Sequence, residues 1–165
     1  VESVLEVMKL HTENDVREIA AQHGIAVVKR LYDWSKINSA SGYGVGVSWK
    51  MTSGESKSRT VDAVDFSRNV DLISRVSEAT QTIRIANGTL LGIDRAIRSF
   101  RFVTDGDQVF SGRLADAFPV DVQWAINTKY TAEVEEETVT RFATDETTTT
   151  YRLKNLSVFQ NDLSA

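Results

Sequence analysis

The sequence predicts an α+β protein in which N-terminal helices and a β-hairpin precede a small five-stranded β-barrel. Apolar residues recur at helical spacing as far as about residue 38, whereas from residue 80 onward they alternate every second residue. The Asp105-Gly106 pair lies between two alternating segments, which is a strong hairpin signal. We therefore expect two domains, a helical segment with a hairpin at 1–79 and a barrel at 80–165.

The N-terminal segment is predicted to hold two stretches of helix. Residues 2–13 carry an approximate apolar face, which predicts a first helix. Thr12 or Asn14 can cap the next helical stretch, because a side-chain oxygen at this position accepts from free backbone N–H groups. That stretch continues to about residue 38, and Gly24 either ends one helix within it or is tolerated there.

A hairpin and another helix follow. Strands are expected at 43–51 and 58–64, joined by a polar turn around Gly54. Asp65 or Ser67 then caps a helix that extends to about residue 78.

The stretch at 80–114 predicts three strands joined by two tight turns. Its first strand has apolar residues at every second position, Ile83 and Ile85 and then, past a break, Leu91 and Ile93, which is typical of a half-buried strand but does not fix which face is buried. Gly88 and Gly92 lie within this strand and indicate a bulge or a sharp bend. The second and third strands alternate around Phe100, Phe102 and Phe110.

The remaining residues predict two more strands. Residues 115–127 are expected to form a short helix or an irregular crossing, and Pro119 limits any helix before it. Tyr130, Ala132 and Val134 alternate with acidic or polar residues in the fourth strand. The fifth strand spans 147–159 after a turn at Asp145.

The bent first strand and the element between the third and fourth strands of the C-terminal half resemble the OB-fold, with an SH3-like or Sm-like barrel as the alternative. The half also resembles an uncharacterised group of bacterial proteins in which a helical segment precedes such a barrel. The residues that carry the second resemblance are Gly88, Leu90, Ile93, Asp94, Phe100, Phe102, Asp105, Gly106, Gly112, Arg113 and Leu114. All of them are structural, so the resemblance implies a fold and no activity.

Composition restricts the function classes. The chain has 165 residues and no cysteine, which excludes disulfides, thiol catalysis and cysteine metal sites and fits the reducing conditions of the cytoplasm, where we expect the protein. No apolar run approaches the roughly 18 residues of a membrane span, so no membrane association is predicted. The first residue is Val, and we expect the chain to be the C-terminal part of a larger bacterial protein.

No motif predicts catalysis, a cofactor or a metal site. His11 and His23 are the two histidines, and their spacing on a helix keeps them about 18 Å apart. The glutamates around residue 135 could bind a hard cation, but a solvated strand face that resists edge pairing is the preferred interpretation. We therefore expect a protein that is not an enzyme, with a small enzyme whose site is invisible in sequence as an alternative.

The charge distribution gives the main candidate site. Residues 80–114 carry five arginines and three aspartates, whereas 115–165 carry four basic and nine acidic residues. The candidate binding face consists of Arg84, Arg98, Arg101 and Arg113. A second interpretation pairs these arginines with an acidic partner face formed by Glu133, Glu135 and Glu137.

These observations predict a non-catalytic interaction module with a protein partner or self-association. The alternative is a single-stranded nucleic-acid-binding barrel that uses the arginine face. A sequence pI near 5.2 argues against strong phosphate binding.

Overall fold

A computed structural model of the chain describes residues 8–51, 54, 56–119 and 121–159. Three helices and a β-hairpin precede a closed five-stranded barrel, so the predicted fold class is confirmed. The chain divides into two compact units. A helical unit contains the residues up to Glu78 together with Thr140–Thr147, and a barrel unit contains Ala79–Val139 and the residues from Thr148 onward.

Two helices begin the described chain, α1 (Glu13–His23) and α2 (Ile25–Ser41). Gly24 separates them with φ 87°, a left-handed value that favours glycine, so the predicted break is confirmed. Thr12 is the cap: its hydroxyl accepts from the Asp15 backbone N–H at 3.2 Å, and the Asp15 carboxylate accepts from the Thr12 backbone N–H at 3.0 Å.

The helix predicted over 2–13 is wrong in its described part. Residues 1–7 lie outside the described residues, and 8–12 are not helical. The capping box at Thr12 requires extended backbone at this point, and Leu10 is buried with its backbone N–H donating to Asn69 Oδ1 at 3.0 Å.

A two-stranded sheet and a third helix complete the helical unit. β1 (Val45–Lys50) pairs with β2 (Ser56–Val61) in antiparallel register. α3 (Ala63–Arg75) begins after Asp62, whose carboxylate accepts from the Asp65 backbone N–H at 2.8 Å. The predicted caps Asp65 and Ser67 are therefore wrong, because Asp65 is the third residue of the helix and closes the capping box with Asp62.

The helical unit has its own core. Its buried apolar residues are Leu10, Val16, Ile19, Val28, Leu31, Ile73, Val76 and Phe142. Asp65 is also buried, and its carboxylate lies 2.7 Å from Lys9 Nζ and 3.1 Å from Arg68 Nη1. The hydrogen bond from Lys9 holds the pKa of Asp65 below its ordinary value, because it stabilises the charged carboxylate.

The barrel contains β3 (Ser77–Asp94), β4 (Ser99–Thr104), β5 (Val109–Leu114), β6 (Thr128–Arg141) and β7 (Glu146–Val158). Its closed order is β3-β4-β5-β7-β6. β3 and β5 each pair with β4 in antiparallel register, whereas β5 and β7 are parallel through Arg113↔Arg152 and Leu114↔Leu153. The last strand, β7, therefore lies between the third and fourth strands of the barrel, β5 and β6.

The predicted core phenylalanines are confirmed, and the first half of β3 is exposed on both faces. Phe100, Phe102 and Phe110 are buried, whereas Ile83 is 48% and Ile85 76% exposed. The buried residues of the barrel core are Leu90, Phe100, Phe102, Phe110, Leu114, Phe118, Tyr130, Ala132, Val134, Leu153 and Leu156. A register shift between Leu90 and Gly92 interrupts β3, so apolar residues before and after it do not share one face.

The segment between β5 and β6 is irregular. Its described residues form turns without a helix, so the irregular crossing was the correct one of the two predicted forms. Phe118 is buried in the barrel core, and Trp124 packs edge-on against Tyr130 with ring centroids 5.6 Å apart. The β6 prediction is confirmed, since Tyr130, Ala132 and Val134 are buried.

Candidate functional site

The four arginines of the predicted binding face do not form one surface. Arg84 lies on β3, Arg98 in the turn that follows β3, Arg101 on β4 and Arg113 on β5. The Arg84 side chain is bonded to a carboxylate. The side chains of Arg101 and Arg113 form no hydrogen bond or ion pair with any described residue. These two groups are therefore considered separately.

Arg84 forms an ion pair with Glu136 within the barrel unit. Its Nε donates to Glu136 Oε2 at 2.5 Å and its Nη2 to Glu136 Oε1 at 3.0 Å, a two-point contact of guanidinium with carboxylate. The hydrogen bond to Glu136 raises the pKa of Arg84 above its ordinary value. Arg84 is thus matched internally by a glutamate of the acidic strand, but by Glu136 and not by a member of the predicted partner face at Glu133, Glu135 and Glu137.

The acidic residues of β6 are matched by cations from β7 that the sequence analysis did not consider. Arg152 contacts Glu135 at 3.5 Å and Glu137 at 3.4 Å, and Lys154 contacts Glu135 at 3.2 Å. The side chains of Glu135 and Glu136 are only 14% and 15% exposed. The solvated strand face is therefore wrong, because cross-strand cations cover these carboxylates.

Glu133 differs from the other glutamates of the predicted acidic face. It is half-buried on β6, and it forms no ion pair with another described residue. Of the predicted acidic set, Glu135 and Glu137 are thus brought together with basic side chains, whereas Glu133 is not.

Register places Arg101, Arg113 and Arg152 on one outer face of β4, β5 and β7. Arg113 pairs with Ser99 of β4, two residues from Arg101, and Arg113 also pairs with Arg152 of β7. Directly opposed residues of neighbouring strands share a face, and neighbouring strands lie about 4.8 Å apart. We call Arg101, Arg113, Arg152 and Lys154 the basic face.

The burial pattern supports this assignment of the outer face. Phe100, Phe102, Phe110 and Leu114 alternate with the arginines and are buried, whereas Arg101 and Arg113 are exposed. Like charges directly opposite each other destabilise a sheet. Arg152 is neutralised by glutamates of β6, but nothing in the described residues neutralises Arg113 beside it. The positive charge of Arg113 is therefore not balanced by an ion pair within the described residues.

A cleft of about 500 Å³ adjoins the basic face. Four basic side chains line it, Arg98, Arg113, Arg152 and Lys154, together with the carboxylates of Asp116 and Glu135 and a short apolar wall. The basic side chains outnumber the carboxylates by two, so the cleft favours a ligand that carries negative charge.

Arg98 is positioned by the turn between β3 and β4. The Asp94 carboxylate accepts from the backbone N–H groups of Ala96 and Ile97 at 2.8 and 3.1 Å, which confirms the predicted turn. The Arg98 side chain donates to the Ala115 backbone oxygen at 2.6 Å and lies 4.0 Å from Asp116. Arg98 therefore borders the cleft with part of its donor capacity already used.

Sequence reasoning missed Arg152 and Lys154. Both flank the buried Leu153 in an alternating strand, and that pattern was the available signal. Their placement beside Arg113 depends on the parallel contact of β5 with β7, which no local pattern reveals.

Other predicted chemistry is dispersed. His11 and His23 are both exposed residues of the helical unit. In the described part of the chain, no group of three or more His, Asp or Glu side chains is placed to hold a metal ion. The helices of that same part include none that is long and apolar enough to span a membrane.

Comparisons with known proteins add little to this description. No family model matches the chain, and no curated protein matches it either. Among solved structures, the chain is similar to apo-CusF from Escherichia coli at 15% identity, covering 52% of this chain and 98% of that chain with a TM-score of 0.32. A similarity this low supports no argument, so the description of the barrel depends on its own strand order.

Proposed function

We propose that the protein is a non-catalytic binding module whose barrel binds an acidic segment of a protein partner on the basic face. One observation carries the proposal: Arg101 and Arg113 share an outer face and have no internal carboxylate, although carboxylates elsewhere in the barrel unit match Arg84 and Arg152. A bound carboxylate would supply the charge that this face lacks.

The character of the face favours a peptide over a nucleic acid. Proteins that bind single strands stack bases on exposed aromatic rings. On β4 and β5 the aromatic residues are Phe100, Phe102 and Phe110, and all three are buried in the barrel core. The face offers guanidinium groups and serines, which suit carboxylates and backbone carbonyl groups.

A single-stranded nucleic acid is the second candidate, favoured by the position of the face. We propose that the barrel is OB-like, because its last strand lies between the third and fourth strands as in a Greek-key arrangement and not as in a simple meander. OB-folds that bind oligonucleotides use the face of their second and third strands, which here are β4 and β5.

The absence of catalysis is part of the same proposal. The resolved pKa shifts lower the pKa of Asp15 and Asp65 and raise that of Arg84, and each shift favours the charged form at neutral pH. A general acid or base would instead need a pKa moved toward neutrality.

Fluorescence anisotropy tests the proposal with two probes, a labelled glutamate-rich peptide and a labelled single-stranded oligonucleotide. We expect saturable peptide binding that weakens with salt and falls about tenfold or more in the double variant Arg101→Glu/Arg113→Glu. Arg30→Glu is the matched control, since Arg30 is an exposed arginine of the helical unit.

Each outcome is informative. Stronger binding of the oligonucleotide, lost in the same double variant, would replace the peptide by a nucleic acid as the ligand. Binding of neither probe, or binding that the double variant and Arg30→Glu reduce equally, would contradict a role for the basic face.

A further inference from the structure

The first half of β3 has a free edge. β3 pairs with β4 only from Gly88 to Asp94, because β4 is six residues long, and its other neighbour in the barrel is β6. In the described part of the chain, no strand lies on the β4 side of residues 79–86. At the end of this edge, the Asn87 carbonyl oxygen accepts from the Asp105 backbone N–H at 2.9 Å.

Strand alternation shows which backbone groups reach this edge. The carbonyl of Asn87 points to the β4 side, so the backbone N–H and C=O groups of every second residue before it point the same way. These residues are Ala79, Gln81, Ile83 and Ile85. They form a row of donors and acceptors that can pair with another strand.

The edge lacks the features that usually prevent pairing. Proteins protect exposed edges with Pro, with Lys or with bulges. Residues 79–87 contain neither Pro nor Lys, and the register shift of β3 comes later, between Leu90 and Gly92. The single charged residue in this range is Arg84, which Glu136 already neutralises.

Two apolar side chains are exposed on one face of this edge. Ile83 and Ile85 are 48% and 76% exposed, and as alternate residues of a strand they point to the same side of the sheet. A strand added to this edge would bring apolar side chains beside them, which supplies apolar burial in addition to backbone hydrogen bonds.

We propose that two copies of this chain associate by antiparallel pairing of this edge, with the twofold axis at Ile83. This register places Ile83 opposite Ile83, Gln81 opposite Ile85 and Ala79 opposite Asn87. Residues 81–85 then pair with their counterparts, and Ile83 and Ile85, whose backbone groups point to the edge, occupy the hydrogen-bonded positions, whereas the Asn87 carbonyl keeps its bond to Asp105. The contact is isologous, as twofold symmetry requires.

Charge selects this register over its neighbour. An axis at Arg84 would place the two Arg84 guanidinium groups directly opposite each other, and like charges in that position destabilise a sheet. With the axis at Ile83, Arg84 lies opposite Thr82. The edge is therefore self-complementary in register, charge and hydrogen bonding.

This inference is independent of the proposed function. The edge belongs to β3, whereas the basic face belongs to β4, β5 and β7. Ile83→Lys is therefore expected to abolish self-association and leave binding of the acidic peptide unchanged, so failure of one proposal does not imply failure of the other.

Sedimentation velocity over a concentration series is the first test. We expect a monomer–dimer equilibrium that Ile83→Lys and Ile85→Lys each weaken about tenfold or more. Ile97→Lys is the matched control, because Ile97 is 65% exposed and lies in the turn at the opposite end of β3 from this edge. Circular dichroism melting confirms that each variant is folded.

Cross-linking tests the register even if a lysine variant fails to fold. The chain has no cysteine, so Ile83→Cys and Ala79→Cys each introduce a single thiol. A short bis-maleimide should join two copies of Ile83→Cys but not two copies of Ala79→Cys, which the proposed register separates by about 27 Å. A monomer at every concentration would overturn the proposal, as would cross-linking of Ala79→Cys equal to that of Ile83→Cys.

Discussion

Arg84 and Arg113 have similar sequence surroundings and opposite structural roles. Each follows an alternating pattern in a barrel strand, yet Arg84 forms a two-point ion pair with Glu136 and Arg113 has no partner in the described residues. The difference comes from the neighbouring strand. The strand beside Arg84 is β6, which carries consecutive glutamates, whereas Arg113 lies between Ser99 and Arg152.

The comparison separates charges that serve the fold from charges that are available for binding. Arg84 is the partner of Glu136, whose side chain is only 15% exposed, so removing the arginine leaves a mostly covered anion without its cation. An unmatched arginine on an exposed face contributes little to stability. Changes at the two positions should therefore act on different observables.

The largest expected effect concerns the contact that places Arg113 beside Arg152. A Cβ at Gly112 would overlap the Tyr151 backbone carbonyl, whereas a Cβ at Gly92 would meet nothing within 4 Å. Gly112→Ala should therefore force β5 and β7 apart and destabilise the protein by about 3 kcal/mol or more. Urea denaturation measures this, with Gly92→Ala as the control.

Equal urea midpoints for these two variants would show that β5 and β7 do not approach closely at Gly112. The pairing of Arg113 with Arg152 would then lose its basis, and with it the definition of the basic face.

Asp65 extends the comparison to a matched charge of the helical unit. Its pKa is lowered by the hydrogen bond from Lys9, so the unfolded chain binds more protons near pH 4. The stability from this carboxylate is therefore fully present above about pH 4 and is lost as pH falls through the lower folded pKa. Asp65→Asn should cost about 1–3 kcal/mol at neutral pH and less in acid.

Urea midpoints of the protein and of Asp65→Asn at neutral and acid pH measure this difference. Some acid sensitivity should remain in the variant, because the hydrogen bond from the His11 backbone N–H also lowers the pKa of Asp15. A destabilisation by Asp65→Asn that is the same at both pH values would contradict the assigned role of the Lys9 contact.

A smaller effect distinguishes the two arginines themselves. Arg84→Met removes the partner of Glu136 and should lower the urea midpoint, whereas Arg113→Met should leave it unchanged. Both variants carry methionine, an unbranched side chain that replaces the aliphatic part of arginine without its charge, so the comparison between the two positions isolates the ion pair. Equal midpoints would show that the Arg84–Glu136 contact does not support the fold.

The sequence predicted where the strands of the barrel lie in the chain more reliably than which of their faces are buried and how they pair. Alternation identified the core positions Phe100, Phe102 and Phe110, since each lies in a short regular strand. It did not fix which face of β3 is buried: residues 77–85 are exposed on both faces, and the bulge between Leu90 and Gly92 shifts the alternation farther along the strand. A period of two cannot reveal which phase is buried when an extra residue intervenes.

The candidate site was predicted in part for the same reason. Arg101 and Arg113 lie on one face as expected from their alternation with apolar residues, but Arg84 does not join them. Arg152 and Lys154 were missed because β7 is brought to β5 by a parallel contact across the chain. Strand register decides which cation contacts which carboxylate. A local sequence pattern does not predict the register between strands that are distant in the chain.

The most direct test of the distinction between matched and unmatched arginines is NMR of the arginine side-chain Nε–Hε groups. The glutamate-rich peptide would be titrated into the isotope-labelled protein, with the resonances assigned through Arg84→Met, Arg101→Met and Arg113→Met. We expect saturable shifts for Arg101 and Arg113, whereas Arg84, whose Nε–H already donates to Glu136, should not respond. A shift of Arg84 equal to that of Arg113, or no shift of either Arg101 or Arg113, would contradict the basic face as the binding surface.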